Sequence, residues 1–210
     1  MNLVEMHHAN IKQLSHAIDQ VRWEDKQVYG NWLAQTYYYT RHTTRMLSLA
    51  GSYFYEDEQK LHERFLTHAG EEMNHELISL GDLKKLGFTL KDFPELPSTR
   101  SFYQTSYYAI ERMTPWAFFG FILPLEGLAV AKATELFERV SRVHGKNTGS
   151  FLKVHAADDQ DHIKQALEML DQVPKTHLRA VLDHLETSVF LYCRILEQIN
   201  SKSSQIISAA

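Results

Sequence analysis

Nine glycines and five prolines are all that 210 residues offer for turning the chain. With so few breakers the elements must be long. No stretch alternates apolar and polar residues as a half-buried strand would, so the long elements are helices. Apolar spacing and stop signals predict seven of them, over about 3–23, 26–53, 56–86, 99–112, 115–144, 150–173 and 176–201. The first carries Leu3, Met6, Ile11, Leu14, Ile18 and Val21 near helical spacing. Gly87, just after Lys84 and Lys85, closes the third. Thr114 and Pro115 are a cap and first-turn pair for the fifth, which Pro124 should bend. No linker or low-complexity segment divides the chain. The expected architecture is a single all-α domain over residues 1–210, with a frayed tail after about 201.

The balance of residues narrows the function. The formal net charge is −4 and no block of lysine and arginine forms a stripe, so a nucleic-acid partner is not expected. No run of about 18 wholly apolar residues occurs, so no membrane span is expected, and the N-terminal stretch lacks the pattern of a signal peptide. The single Cys193 excludes an internal disulfide and a cysteine metal cluster and suits a reducing, cytoplasmic setting. Histidine is the unusual component, with 12 residues.

Four of those histidines lie in two matching segments, HAGEEMNH (residues 68–75) and HAADDQDH (residues 155–162). Both read His-Ala-x-acid-acid-x-x-His. At about 100° per residue, the two acids and the second His fall within roughly 60° of the first His, on one face of a helix. Imidazole and carboxylate on one stripe suit iron, manganese or zinc, and paired iron ions in helical bundles use Glu-x-x-His. Glu72 and His75 have that spacing, as do Asp159 and His162; His155 lies one turn before Asp159, and His68 one turn before Glu72. Glu71 and Asp158 are the neighbouring alternatives. A solvated polar face produces one such cluster readily; repetition of the whole pattern is what favours a metal.

A third contributor is Glu126, the only charged residue between Arg112 and Lys132. A carboxylate in so apolar a stretch is costly unless it is paired or bound to a metal. His7, His8 and His16 are expected on the surface or against a partner.

These residues resemble the heme-oxygenase-like diiron oxidases and oxygenases, a branch of the heme oxygenase and TenA superfamily. The later segment is similar to that family's His-x3-Asp-x2-His motif, Glu126 to its lone Glu on a core helix, and His75 to its early His. His68 stands where many members carry a Glu. The resemblance implies a seven-helix heme-oxygenase-like (TenA-like) bundle. It implies metal ligands His68, Glu72, His75, Glu126, His155, Asp159 and His162, with no catalytic residue beyond them. It also implies two iron ions, or manganese, activating O₂ to oxidise a small carboxylate-bearing substrate, an amino acid or fatty acid derivative. Arg41 and Arg45 are then candidates to clamp the carboxylate, with Tyr38 and His42 beside them. A homodimer is the expected assembly. Two alternatives stay open: a heme-binding protein, with Gly120 and Gly127 facing heme and His8 or His16 as axial ligand, and a non-catalytic regulator on the same fold.

Overall fold

The computed structural model describes residues 3–170 and 172–201, with side chains for all of these except residues 3–4 and 158–161. Among the described residues there are nine α-helices and no strand. They are α1 (Leu3–Asp19), α2 (Lys26–Thr40), α3 (Thr43–Tyr53), α4 (Gln59–Glu71), α5 (His75–Lys85), α6 (Pro97–Arg112), α7 (Phe119–His144), α8 (Ser150–Leu170) and α9 (Lys175–Asn200).

Two helices expected to be continuous are each broken in two. The second stops at Thr40 and resumes at Thr43, across Arg41 and His42. A run of three tyrosines and a threonine precedes that break, all residues with restricted rotamers in a helix. The third stops at Glu71 and resumes at His75, with Asn74 in the left-handed region at φ 70°. Asparagine tolerates that conformation better than most residues. The HAGEEMNH segment is therefore not one helical stripe but a helix end, a tight turn and a new helix start. Its counterpart, in α8, is continuous.

The core helix is α7, which packs against α8 above all, and also against α9 and α1. Thr114 takes the cap position of the turn that leads into it, but its hydroxyl makes no cap hydrogen bond. Phe119, Phe121, Ile122, Leu123 and Leu128 are buried, and Pro124 sits inside the helix. The Pro115–His144 segment is long and apolar enough to cross a membrane by length and composition, but 67% of its apolar window is buried inside the protein. That is the position of a bundle's central helix.

Two glycines set how closely neighbours approach α7. A Cβ on Gly120 would lie 2.5 Å from the Leu185 backbone nitrogen and 2.8 Å from the His184 carbonyl carbon, so here α9 touches α7 through its main chain. A Cβ on Gly127 would lie 2.6 Å from His7 Cε1 and 2.7 Å from Ile11 Cδ1. His7, expected on the surface, is buried in this contact, and burial lowers its pKa to about 4, with a contribution from His8. By contrast, nothing lies within 4 Å of a Cβ built on Gly81. Gly120→Ala is therefore expected to destabilise the protein by about 1–3 kcal/mol, because backbone cannot yield as a side chain does. Gly81→Ala should stabilise it by about 0.5–1 kcal/mol through helix propensity. Urea unfolding of the two variants beside the parent checks both signs.

Candidate metal centre

The break after Glu71 places three acidic or imidazole groups differently from a straight helix. Glu72 caps the end of α4, and its backbone N–H still bonds to the His68 carbonyl at 2.9 Å. Its carboxylate faces both ways. Oε1 lies 3.7 Å from His68 Nε2, one turn back, and Oε2 lies 3.3 Å from His75 Nδ1, at the start of α5. From α7, Glu126 brings Oε1 to 3.1 Å from His68 Nε2 and 3.9 Å from His162 Nδ1. The His68 and His162 rings are 4.4 Å apart, and those of His75 and His155 are 5.0 Å apart.

The result is two groups of converging donors. His68, Glu126 and His162 form one, all buried. Glu72, His75 and His155 form the other, with Glu72 buried and the two histidines half-buried. Within each group the ligand atoms lie within 4.8 Å of one another. Donors at ~2.1 Å from one ion stand ~3 Å apart, so only a small contraction separates these groups from a closed site. Glu72 belongs to the second group and touches the first, the position of a carboxylate that bridges two ions.

Two outer contacts fix the imidazoles. His155 Nδ1 lies 2.9 Å from the Phe151 carbonyl and donates to it, which leaves Nε2 as its lone-pair nitrogen; its ring also stacks on Phe151 at 4.0 Å. His162 Nε2 lies 3.1 Å from Glu71 Oε2, on the ring edge away from Glu126, and Arg64 holds the same carboxylate oxygen at 3.4 Å. Glu71 enters neither donor group. It orients His162, while Glu72 takes the central place. The backbone of α8 puts residue 159 between His155 and His162 on their face; the Asp159 side chain lies outside the described residues, as does that of Asp158.

Without metal, the cluster holds itself together by proton sharing. Burial alone would lower the His68 pKa, but its bonds to Glu126 and Glu72 outweigh burial and raise it to about 9. Burial alone would raise the Glu72 carboxyl, but His68 and His75 hold it far below the usual range. A metal ion would replace the His68 proton.

Beside the cluster lies a cavity of about 100 Å³. His68, Glu72, Glu126 and His155 form one wall; Phe121, Ile122, Leu125, Leu136 and Phe151 are among the apolar remainder. Tyr39 and Thr40 of α2 line it, a part of the site that sequence reasoning missed. The structure does not bring Arg41, Arg45, Tyr38 or His42 to it. Tyr38 donates to the Leu90 and Phe93 carbonyls. Arg41 lies over the Tyr37 and Tyr38 rings and 3.9 Å from Glu95, and Arg45 is exposed. His42 stacks on Tyr103 at 3.8 Å and meets the Tyr107 hydroxyl at 3.1 Å; burial and Arg41 lower its pKa to about 4. Gly120 and Gly127, the pair expected to face heme, are filled by α9 and by His7 and Ile11, while His8 and His16 are exposed. Cys193 is half-buried and does not line the cavity.

The family model described as iron-containing redox enzyme matches residues 30–192. Among solved structures, a domain of unknown function with a heme oxygenase-like fold from Shewanella denitrificans has a TM-score of 0.82 at 21% identity, covering 95% of this chain and 92% of that one. A TenA homologue from Pseudomonas syringae pv. tomato has a TM-score of 0.71 at 14% identity, with 91% of each chain covered. A TenA homologue from P. horikoshii has 0.61 at 13%, covering 95% of this chain and 98% of that one. At these identities the structural likeness establishes the fold: an all-α, heme oxygenase-like bundle. No curated protein matches the sequence.

The His68 shift generates a pH prediction for the metal-free protein. Its folded pKa lies above the ordinary 6.5, so its contribution to stability is complete below about pH 6.5 and is lost as pH rises through about 9. Urea midpoints measured from pH 6 to 10 should fall across that window in the parent. In His68→Gln the fall should be absent, and an unchanged profile in that variant would refute the assignment.

Proposed function

The chain belongs to the family of iron-containing redox enzymes, and from that premise we propose that it is a non-heme diiron oxidoreductase. It activates O₂ to oxidise a small carboxylate-bearing substrate, an amino acid or fatty acid derivative. The observation that carries this reading is Glu72, whose two oxygens face the histidines of two separate donor groups. Such an arrangement suits two ions sharing one carboxylate better than it suits one ion.

The donor set fits the metal. It is nitrogen and oxygen throughout, with no thiolate, which suits iron and manganese, and the family description favours iron. Four buried groups, His68, Glu72, Glu126 and His162, are gathered where an apolar core would otherwise close. Bound iron supplies the O₂ and electron-transfer chemistry that amino-acid side chains lack.

The chain's own residues do the rest. His68, Glu126 and His162 hold one ion; Glu72, His75 and His155 hold the other, and Asp159 is the further candidate ligand on α8. The Phe151 carbonyl and Glu71 keep His155 and His162 in the required tautomers. The cavity wall of Phe121, Ile122, Leu125 and Phe151 excludes water from the ions and surrounds the substrate's apolar part.

Anaerobic loading with Fe(II) followed by metal analysis should approach two iron ions per chain. Glu126→Ala and His162→Ala should each lose the ion of their group, and Glu72→Ala should weaken both, with helicity by circular dichroism unchanged. The loaded parent should consume O₂. Full loading in all three variants, or negligible iron in a folded parent, would refute the reading.

A further inference from the structure

The cavity says more about the substrate than the ligands do. It runs along α7 from Phe121 to Leu136, about 22 Å of helix. Among the described residues that line it, Lys132 is the only lysine or arginine. It stands six residues after Glu126, about 9 Å along the same axis. Its side chain is only 15% exposed, so the aliphatic stem forms wall, while the ammonium reaches the edge of the protein. There Nζ bonds Asp19 Oδ1 at 2.7 Å and Glu135 Oε2 at 2.9 Å, on acids that are 45% and 59% exposed.

An ammonium has three donors. Two are used here, on carboxylates that water already solvates. Ion pairs so exposed contribute at most about 1 kcal/mol, so an incoming anion takes the third donor, or displaces either acid, at small cost. A buried apolar channel with one cation at its edge and a polar cluster partway along is matched by a molecule with one anionic end and an apolar body.

We propose that Lys132 is a specificity residue that holds the anionic head of an unbranched amphiphile, with the apolar body lying along α7 past Glu126. What happens at the metals rests on the diiron reading; the binding itself does not. The carbon that reaches the metal cluster is then remote from the head, and the carboxylate is not the group presented to the metals.

Trp32 lines the cavity, so tryptophan fluorescence reports its occupancy. The full chain, metal-free and again loaded with Fe(II) under argon, is titrated with octanoate and with 1-octanol. The parent should bind octanoate the more tightly. Lys132→Met keeps the apolar stem and should weaken octanoate about tenfold, the loss of a charge-assisted hydrogen bond, while leaving 1-octanol within about twofold. Asp19→Asn frees a donor and keeps the ammonium, so octanoate should bind as tightly as in the parent or more so. Unchanged octanoate affinity in Lys132→Met overturns the proposal, and so does the absence of saturable binding in the parent. Equal weakening in Asp19→Asn and Lys132→Met also overturns it, because the lysine would then act only through its ion pair. Iron content is measured on the same proteins and should be equal in all three. Lysine-dependent octanoate binding in a parent that takes up no iron would sink the diiron reading and leave this proposal standing.

Discussion

A carboxylate inside the core helix is the constraint around which the rest is arranged. Glu126 is 7% exposed on α7, amid phenylalanine, leucine and isoleucine. Such a charge is tolerated only where opposing charge, protons or a metal meet it. Three segments distant in sequence supply that compensation: His68 at 3.1 Å, His162 at 3.9 Å, and Glu72 linked through His68. Raising His68 to a pKa of about 9 is the metal-free answer to the same demand. The bundle's close contacts around α7, through Gly120 and Gly127, keep this helix rigid enough for the answer to be a defined site.

Glu72 reaches both donor groups because the chain leaves the helix there. As the cap of α4 it looks back one turn to His68 and forward to the first residue of α5. The turn costs a left-handed Asn74, a conformation that disfavours a non-glycine residue by roughly 1–2 kcal/mol. A local departure from helical preference beside a polar cluster is where a functional constraint is expected to show.

The all-helical class and most of the donor residues were legible in the sequence because they follow from composition and period. Scarce glycine and proline imply long helices, and a repeated His-acid pattern in one chain is hard to produce by surface polarity alone. Glu126 was legible through its isolation from other charges. What escaped depends on tertiary contacts. The breaks at Arg41–His42 and after Glu71 follow from local geometry that no apolar spacing reports. The face of α2 was misjudged by one residue: Tyr39 and Thr40 line the cavity, whereas Tyr38 and Arg41 point elsewhere. At about 100° per residue, such a step turns a cavity residue away from its cavity, and a helix apolar on most sides leaves no periodic signal to choose between them. His7 was placed at the surface for a related reason, since the cleft left by Gly127 lies 120 residues later in the chain.

The connectivity of the centre also bears on stability. α4 packs chiefly on α3, and its Phe65 ring meets Phe54, Phe118 and Phe119. Its far end, which carries His68 and Glu71, is tied to α7 and α8 mainly by polar contacts with Glu126 and His162. Those contacts depend on protonation, and a metal would replace them with bonds that do not exchange with water at the same cost. Ions bound at the two groups would join residues 68–75, Glu126 and residues 155–162, adding stability by mass action in proportion to their affinity. The segment with the least packing of its own is thus the one that supplies most ligands, so closure of the site and ordering of the α4–α5 turn are one equilibrium rather than two.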